Sequence, residues 1–362
     1  MNRSRERRQP EGRCQRPAAP FARRAILWSF GSVFSVARRA SLWCLTLCAS
    51  AISSPAVERL TGETEIHDPS SIVKCGDHYW VFGTGRGIIS RSSTNLVEWH
   101  AGPPVFTNTP AWADAWVPGH RGRFWAPDII HLRDRYLLYY SVSTWGSRQS
   151  GIGLVTTRSL DPQSPDYRWE DRGPVFQTTT NDTFNAIDPS VLLDRDGRLW
   201  MAFGSYWSGI KLIELNAETG VRLATNSPVR SLAWNESIEA AGLLRRGDDY
   251  FLFVNWGQCC RGTNSTYEIR VGRSKAVTGP YLDREGVDLM KGGGSVFLAT
   301  SGDYIGPGHA AFVEREGGTC VSYHYYSPAR FGRGTLDWLP LRWDAEGWPE
   351  VTARGSPPKS ER

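Results

Sequence analysis

Five polar residues, Asp68, Asp128, Asp188, Glu239 and His309, each stand at the head of a short apolar run, and they follow one another at intervals of 60, 60, 51 and 70 residues. The runs read I-H-D-P-S-S-I-V, A-P-D-I-I-H-L, I-D-P-S-V-L-L, I-E-A-A-G-L-L and G-H-A-A-F-V. Taken singly, each acid is a strand-start turn residue, because Asp-Pro commonly initiates turns. Taken together they are a set of acids and bases. Two carboxylates across a pocket, one protonated and one ionised, are the minimum for hydrolysing a glycosidic bond. A third carboxylate nearby disfavours ionisation of the acid and keeps its pKa high. Glutamate has the longer reach, which suits Glu239 as a proton donor.

The elements that must bring these residues together are also repeated. Each apolar run is followed by a turn, at Gly76-Asp77, Asp134-Arg135, Asp196-Gly197, Gly247-Asp248 and Gly317-Gly318, and then by an aromatic run beginning at His78, Tyr136, Leu199, Tyr250 or Cys320. Run, tight turn and run make a β-hairpin. Five hairpins at a period of roughly 60 residues leave room for five four-stranded blades, each needing about 40 to 50 residues. The expected fold is therefore all-β, a five-bladed β-propeller over residues 52–350, as a single domain. Innermost strands of a propeller surround one channel and start on one face, so the four carboxylates and His309 are expected to converge there. Like charges so placed must be separated, hydrogen-bonded or bound to a cation.

Residues 52–65 read as an exposed lead-in, and the blades as Ile66 to Trp99, Phe124 to Trp169, a third carrying Gly204-Ser205-Tyr206-Trp207-Ser208-Gly209, a fourth from Trp234, and a fifth from Gly292 to Pro340. Leu341 to Asp344 is expected to be a closing strand. The long connection 103–124 carries Trp112 and Trp116 and reads as a packed loop beside a cleft. Trp145 and Gly146 fall on a loop of the channel face. Small residues around Trp145 and Trp207 let a ligand approach the backbone.

The formal charge of +5 is misleading. Residues 1–51 hold ten Arg and two Glu, a net of +8, which leaves about −3 for the rest. With no basic run in the folded part, nucleic acid is excluded as a partner. Arg38-Arg39, the apolar stretch Leu42 to Leu47 and Ala49-Ser50-Ala51 form an export-signal pattern, so 1–51 is expected to be removed and the protein to be secreted or periplasmic. The stretch is too short to span a membrane, which takes about 20 apolar residues. A start at Val36 is one reading of the Arg-rich segment before it, and Cys48 is a candidate lipid anchor with a poor preceding residue. The tail 351–362 is polar. Of the cysteines outside the leader (Cys75, Cys259, Cys260, Cys320), none has zinc-ligand spacing. The vicinal Cys259-Cys260 pair reads as either a strained ring or two packed thiols, the thiols being favoured.

At this point the residues carry a resemblance. From about Ile66 to Trp348, the motifs I-H-D-P-S, F-W-A-P-D-I, N-A-I-D-P-S, G-S-Y-W-S-G-I-K-L, C-C-R-G-T-N-S-T-Y, I-G-P-G-H and D-A-E-G-W-P resemble, in order, those of glycoside hydrolase family 43, and in particular its endo-1,5-α-L-arabinanases. The resemblance implies a five-bladed propeller that cleaves arabinan with inversion, acting as a monomer. It implies Asp68 as general base, Glu239 as general acid and Asp188 as the residue that raises the acid's pKa and positions it. Base and acid would then lie about 6.5 to 9.5 Å apart, leaving room for water. It further implies substrate contacts at Trp125, Trp145, Gly146, Asn185, Ala186, Ile187, Ser205, Tyr206 and Trp207, and a structural calcium in the channel facing His309, as one ligand among waters. The segment Ala111 to Gly122 is the main departure, and would narrow the cleft at one end and favour exo action. An exo-acting α-L-arabinofuranosidase or β-xylosidase is thus the rival enzyme. A non-catalytic sugar-binding propeller would have lost an acid, and all three are present.

Overall fold

In the computed structural model, which describes residues 58–354, nearly all regular structure is strand. The strands form five antiparallel sheets in chain order, and the chain is a five-bladed β-propeller. Blade one holds Val73–Cys75, His78–Gly83, Ile89–Ser93 and Glu98–Gly102. Blade two holds Arg123–Leu132, Arg135–Val142, Ser150–Thr157 and Glu170–Thr178. The third runs through Ser190–Leu193, Leu199–Phe203, Ile210–Leu215 and Arg230–Ala233. The fourth runs through Glu239–Arg246, Asp249–Trp256, Glu268–Ser274 and Ser295–Leu298. The fifth has three strands of its own, Ile305–Arg315, Gly318–Ser327 and Arg333–Pro340.

The missing strand of blade five comes from the other end of the chain. Glu65 bridges Thr335, the Ile66 N–H donates to Gly334 O at 3.1 Å, and the Leu336 N–H donates to Thr64 O at 2.8 Å. First and last segments therefore share one blade, so the ring cannot open at its seam without breaking these bonds. Residues 58–65 are thus not merely an exposed lead-in: Thr61–Gly62 also pairs in parallel with Glu98–Gly102. Two further boundaries differ from the sequence expectation. Ser295–Leu298 is the outer strand of blade four, not part of blade five. Arg342–Trp343 closes nothing; it pairs with Pro349–Glu350 in a small separate hairpin.

The core lies between blades, in five apolar clusters, one at each blade–blade interface including five-to-one. Strands sandwiched between neighbours are apolar on both faces instead of alternating, which is why Tyr136 to Tyr140 reads as one unbroken run and is buried throughout. The expected packed loop contains a helix, Ala111–Trp116. Trp112 lies against Tyr140, and the Trp116 indole N–H donates to Ser150 O at 3.0 Å. The leader, its cleavage pattern, Cys48 and the end of the tail lie outside the described residues.

Candidate active site

Each innermost strand is entered through one residue with a left-handed backbone, and none of the five is glycine: Asp68 (φ 51°), Ala126 (36°), Asp188 (56°), Ala240 (53°) and His309 (62°). Such a conformation costs on the order of 1–3 kcal/mol per residue and persists only where the surroundings enforce it. Here a ring of hydrogen bonds enforces it. The N–H of each of these residues is accepted by a side chain on the preceding blade: Ala126 by Thr84 Oγ1 (2.8 Å), Asp188 by Ser141 Oγ (2.9 Å), His309 by Asn255 Oδ1 (2.8 Å) and Asp68 by His324 Nδ1 (3.1 Å). In blade three the equivalent position is Gly204, which has no side chain, and Asp188 itself takes the Ala240 N–H on Oδ2 at 3.2 Å. Asp188 thereby fixes the backbone next to Glu239.

This register corrects the alignment made from sequence. Asp68, Asp188 and His309 are true equivalents, but Glu239 precedes its blade's left-handed residue and Asp128 lies two beyond. The offset is one of residue type and not of backbone: the same irregularity in strand pairing stands at Trp125/Asp128, Glu239/Gly242 and Gly308/Ala311, and alanine takes the left-handed place in blades two and four. Asp128 is therefore not in the cavity. It is buried between blades, accepting the Ser71 N–H (3.0 Å) and the Val191 N–H (2.8 Å), and so clamps blades one, two and three. The position before each left-handed residue carries His67, Trp125, Ile187, Glu239 and Gly308, and the first four line the cavity. Gly308 leaves room instead: a Cβ there would sit 2.2 Å from the Tyr267 ring, and Tyr267 needs that place to reach Glu239.

The cavity, about 830 Å³, brings together Asp68, Asp188, Glu239, Trp125, Trp145, Gly146, Asn185, Ile187, Ser205, Tyr206, Trp207 and His309. Ala186 is not on its wall: it is fully buried in the interface of blades two and three, its N–H on Ser150 Oγ. Trp145 is 76% exposed with its ring 5.5 Å from that of Trp125, and Trp207 is 47% exposed beneath the Arg148 guanidinium. These rings are flat apolar faces open to solvent. The Ser205 N–H donates to Asn185 Oδ1, and Asn185 Nδ2 donates to Ser205 Oγ, both at 2.8 Å. The 111–116 helix lies outside the wall and buttresses the Trp145 loop, with Gly119 against Thr144 and Gln149 donating to Trp116 O. Cys259 and Cys260 line the cavity as a vicinal disulfide, not as the pair of thiols favoured from sequence.

Electrostatics divide the carboxylates. Burial would push the Asp68 carboxyl up, but the charge and hydrogen bond of His67, with His309 and His324 adding, hold it well below the usual range. Its Oδ2 accepts the Thr84 hydroxyl at 2.6 Å and lies 2.8 Å from His67 Nδ1. Glu239 is pushed up to about 7, by burial first and then by the charge of Asp68, against the hydrogen bond that the Tyr267 hydroxyl donates to Oε1. Asp188 is raised well above its ordinary value by burial and by the charges of Glu239 and Asp68. The site therefore sets an ionised Asp68 against Glu239, raised to about 7, and Asp188, raised in the same direction.

For a cation, the donor set is unusual. Among the described residues, the His/Cys/Asp/Glu group close enough to share an ion is His67, Asp68 and His324, two imidazoles and one carboxylate, without His309. His309 Nδ1 faces Asp68 Oδ1 at 3.7 Å. Calcium takes six to eight oxygens, so two imidazoles and one carboxylate do not make an all-protein calcium cage.

Sequence reasoning missed His67, Tyr267, His324 and Tyr326. His67 and Tyr267 stood inside quoted motifs, immediately before Asp68 and at the end of C-C-R-G-T-N-S-T-Y, and register was the signal needed to see them.

Comparison with known proteins places the chain in a family. The model of glycosyl hydrolases family 43 matches residues 60–349. The chain is 41% identical over 302 residues to the extracellular exo-α-(1→5)-L-arabinofuranosidase ArbA of Cellvibrio japonicus, covering 80% of this chain and 87% of that one. It is 36% identical over 292 residues to the extracellular endo-α-(1→5)-L-arabinanase 1 of Bacillus subtilis, covering 78% and 87%. The solved structure of an α-L-arabinanase of Cellvibrio cellulosa complexed with arabinohexaose superposes with a TM-score of 0.76 at 40% identity, covering 80% of this chain and 96% of that one. With the match spanning all five blades and every residue of the carboxylate site, the chain is an enzyme that belongs to glycosyl hydrolases family 43.

Proposed function

We propose that the enzyme hydrolyses internal α-1,5-L-arabinofuranosidic bonds of arabinan by a single displacement that inverts the anomeric carbon. The observation that carries this reading is the split of the carboxylates within one cavity: Asp68 is held well below its ordinary range and Glu239 is raised to about 7, so that it keeps its proton below that pH. Asp68 removes a proton from water as the water attacks the anomeric carbon, and Glu239 gives its proton to the departing oxygen. Because Tyr267 donates to Oε1 of Glu239, the acidic proton resides on Oε2. Asp188 positions the acid through the Ala240 N–H, and as a neighbouring carboxyl it disfavours ionisation of Glu239 and so raises its pKa. Asn185, Ile187, Ser205 and Tyr206 line the centre, and Trp125, Trp145 and Trp207 offer stacking faces. Relatives named as acting on α-1,5-linked arabinose, and the arabinohexaose complex, support the substrate class.

Exo action is the second reading. It is favoured by the name of the Cellvibrio relative and by the Glu65–Arg333 ion pair (3.0 Å), both partners of which lie on the cavity wall. Timed digestion of debranched arabinan, with xylan as control, separates the two. A ladder of oligosaccharides at early times is expected; release of one short product from the start would assign exo action.

His309 would hold a calcium ion with waters completing its shell, and the ion would add positive charge beside Asp68. A rise in Tm with calcium in the wild type, absent in His309→Ala, is the expected result. Export is supported by the relatives named extracellular, and no helix among the described residues is long and apolar enough to cross a membrane.

A further inference from the structure

Behind the base lies a chain of hydrogen bonds that the two-carboxylate chemistry does not use. The Tyr326 hydroxyl is its centre, with three nitrogens around it: the backbone N of Cys260 at 2.7 Å, His67 Nε2 at 2.8 Å and His324 Nε2 at 3.3 Å. Donors and acceptors can be counted. Cys260 N–H, in the vicinal disulfide, can only donate. His324 Nδ1 accepts the Asp68 N–H in the ring that enters the blades, so the proton of a neutral His324 sits on Nε2 and points at Tyr326. Burial keeps His324 neutral. The phenolic oxygen then accepts two hydrogen bonds and its own proton goes to His67 Nε2. In a neutral His67 with Nε2 accepting, the proton is on Nδ1, 2.8 Å from Asp68 Oδ2, and the second proton that the Asp68 charge favours goes to Nε2, so Nδ1–H faces Asp68 in either state. His67 stacks on His324 with centroids 4.0 Å apart, which fixes the ring plane.

Taking Asp68 as the base, we propose that His67, oriented by Tyr326, is its positioning residue: the His67 Nδ1–H and the Thr84 hydroxyl both occupy Oδ2, leaving Oδ1 to take the proton of the attacking water. Oδ1 accepts no hydrogen bond from any described residue, with His309 Nδ1 3.7 Å and His324 Nδ1 3.8 Å away, and Asp68 is on the cavity wall. A carboxylate held through one oxygen cannot rotate its free oxygen away from the water. The role is one of geometry, with the backbone of a disulfide-bonded residue as its outermost anchor.

The amide nitrogen of asparagine can replace Nδ1 of histidine, whereas that of glutamine replaces Nε2. His67→Asn should therefore keep kcat within roughly fivefold of wild type, while His67→Gln and His67→Ala lose roughly 10- to 100-fold in kcat with KM little changed. Equal loss in Asn and Gln variants, or no loss in any, would overturn the inference. Nitrogen-15 NMR of histidine-labelled wild-type enzyme, assigned by difference with His67→Asn, provides a reading that does not depend on how the variants fold. His67 protonated on Nδ1, with that preference lost in Tyr326→Phe, is the expected result, and a proton on Nε2 alone would contradict it. Asp68→Asn keeps the two failures apart: if it retains activity the base is misassigned, whereas an inactive Asp68→Asn beside indifferent His67 variants rejects only the positioning role.

Discussion

Asp68 and Asp188 occupy the same position of the repeat, with the same left-handed backbone, yet the carboxyl of one is held well below its ordinary range and that of the other is raised well above it. Both are buried, so desolvation does not separate them. Their neighbours do. Blades five and one surround Asp68 with His67, His309 and His324. Blades three and four set Asp188 against Glu239, another carboxyl. Thus the repeat supplies place and the second strand of each blade supplies chemistry, since Thr84, Ser141, Gly204, Asn255 and His324 stand opposite the five entries. Where that residue is Gly204, the acceptor is missing and Asp188 fills the gap with its own oxygen.

The sharpest way to break this contrast is to remove the proton donor and the base separately and vary the leaving group. Glu239→Gln should lower kcat on arabinan by about 10²- to 10⁴-fold, the usual contribution of a positioned acid, but far less on an aryl α-L-arabinofuranoside whose leaving group needs no protonation. Asp68→Asn should lose activity on both substrates alike. Equal losses for Glu239→Gln on the two substrates would remove Glu239 from the acid role.

A smaller effect sharpens the acid half. Activity requires Glu239 protonated, so the alkaline limb of kcat/KM should lie near its value of about 7, with activity falling as pH rises through it. Tyr267 hydrogen-bonds the carboxylate and so favours ionisation. Tyr267→Phe removes that bond, so the limb should move to higher pH; a limb that stays or moves down would show that another group sets it.

The fold was legible because a propeller repeats its pattern. Apolar run, turn and aromatic run recur five times, and strands buried on both faces read as unbroken apolar stretches. The three acids were legible as chemical types at strand starts. Register was not. Matching Asp128 and Glu239 to Asp68 by type misplaces them by two and one positions, because alanine holds the left-handed place in blades two and four and nothing in its type marks that conformation. Asp128 was thus expected at the channel and is an inter-blade clamp. His67 looked incidental and lies in the ring that carries Glu239. Contacts between blades were invisible for the same reason: Tyr326 and His67 are 259 residues apart and touch only when the ring closes. Joining of the two ends, through Glu65 and Thr335, involves residues of no distinctive type.

The central claim is that an ionised Asp68 and a protonated Glu239 act in one displacement. Proton NMR of the first product formed from an arabino-oligosaccharide, recorded before mutarotation, tests it directly. The β-anomer of the new reducing end is expected first; initial appearance of the α-anomer would mean retention and would contradict the account.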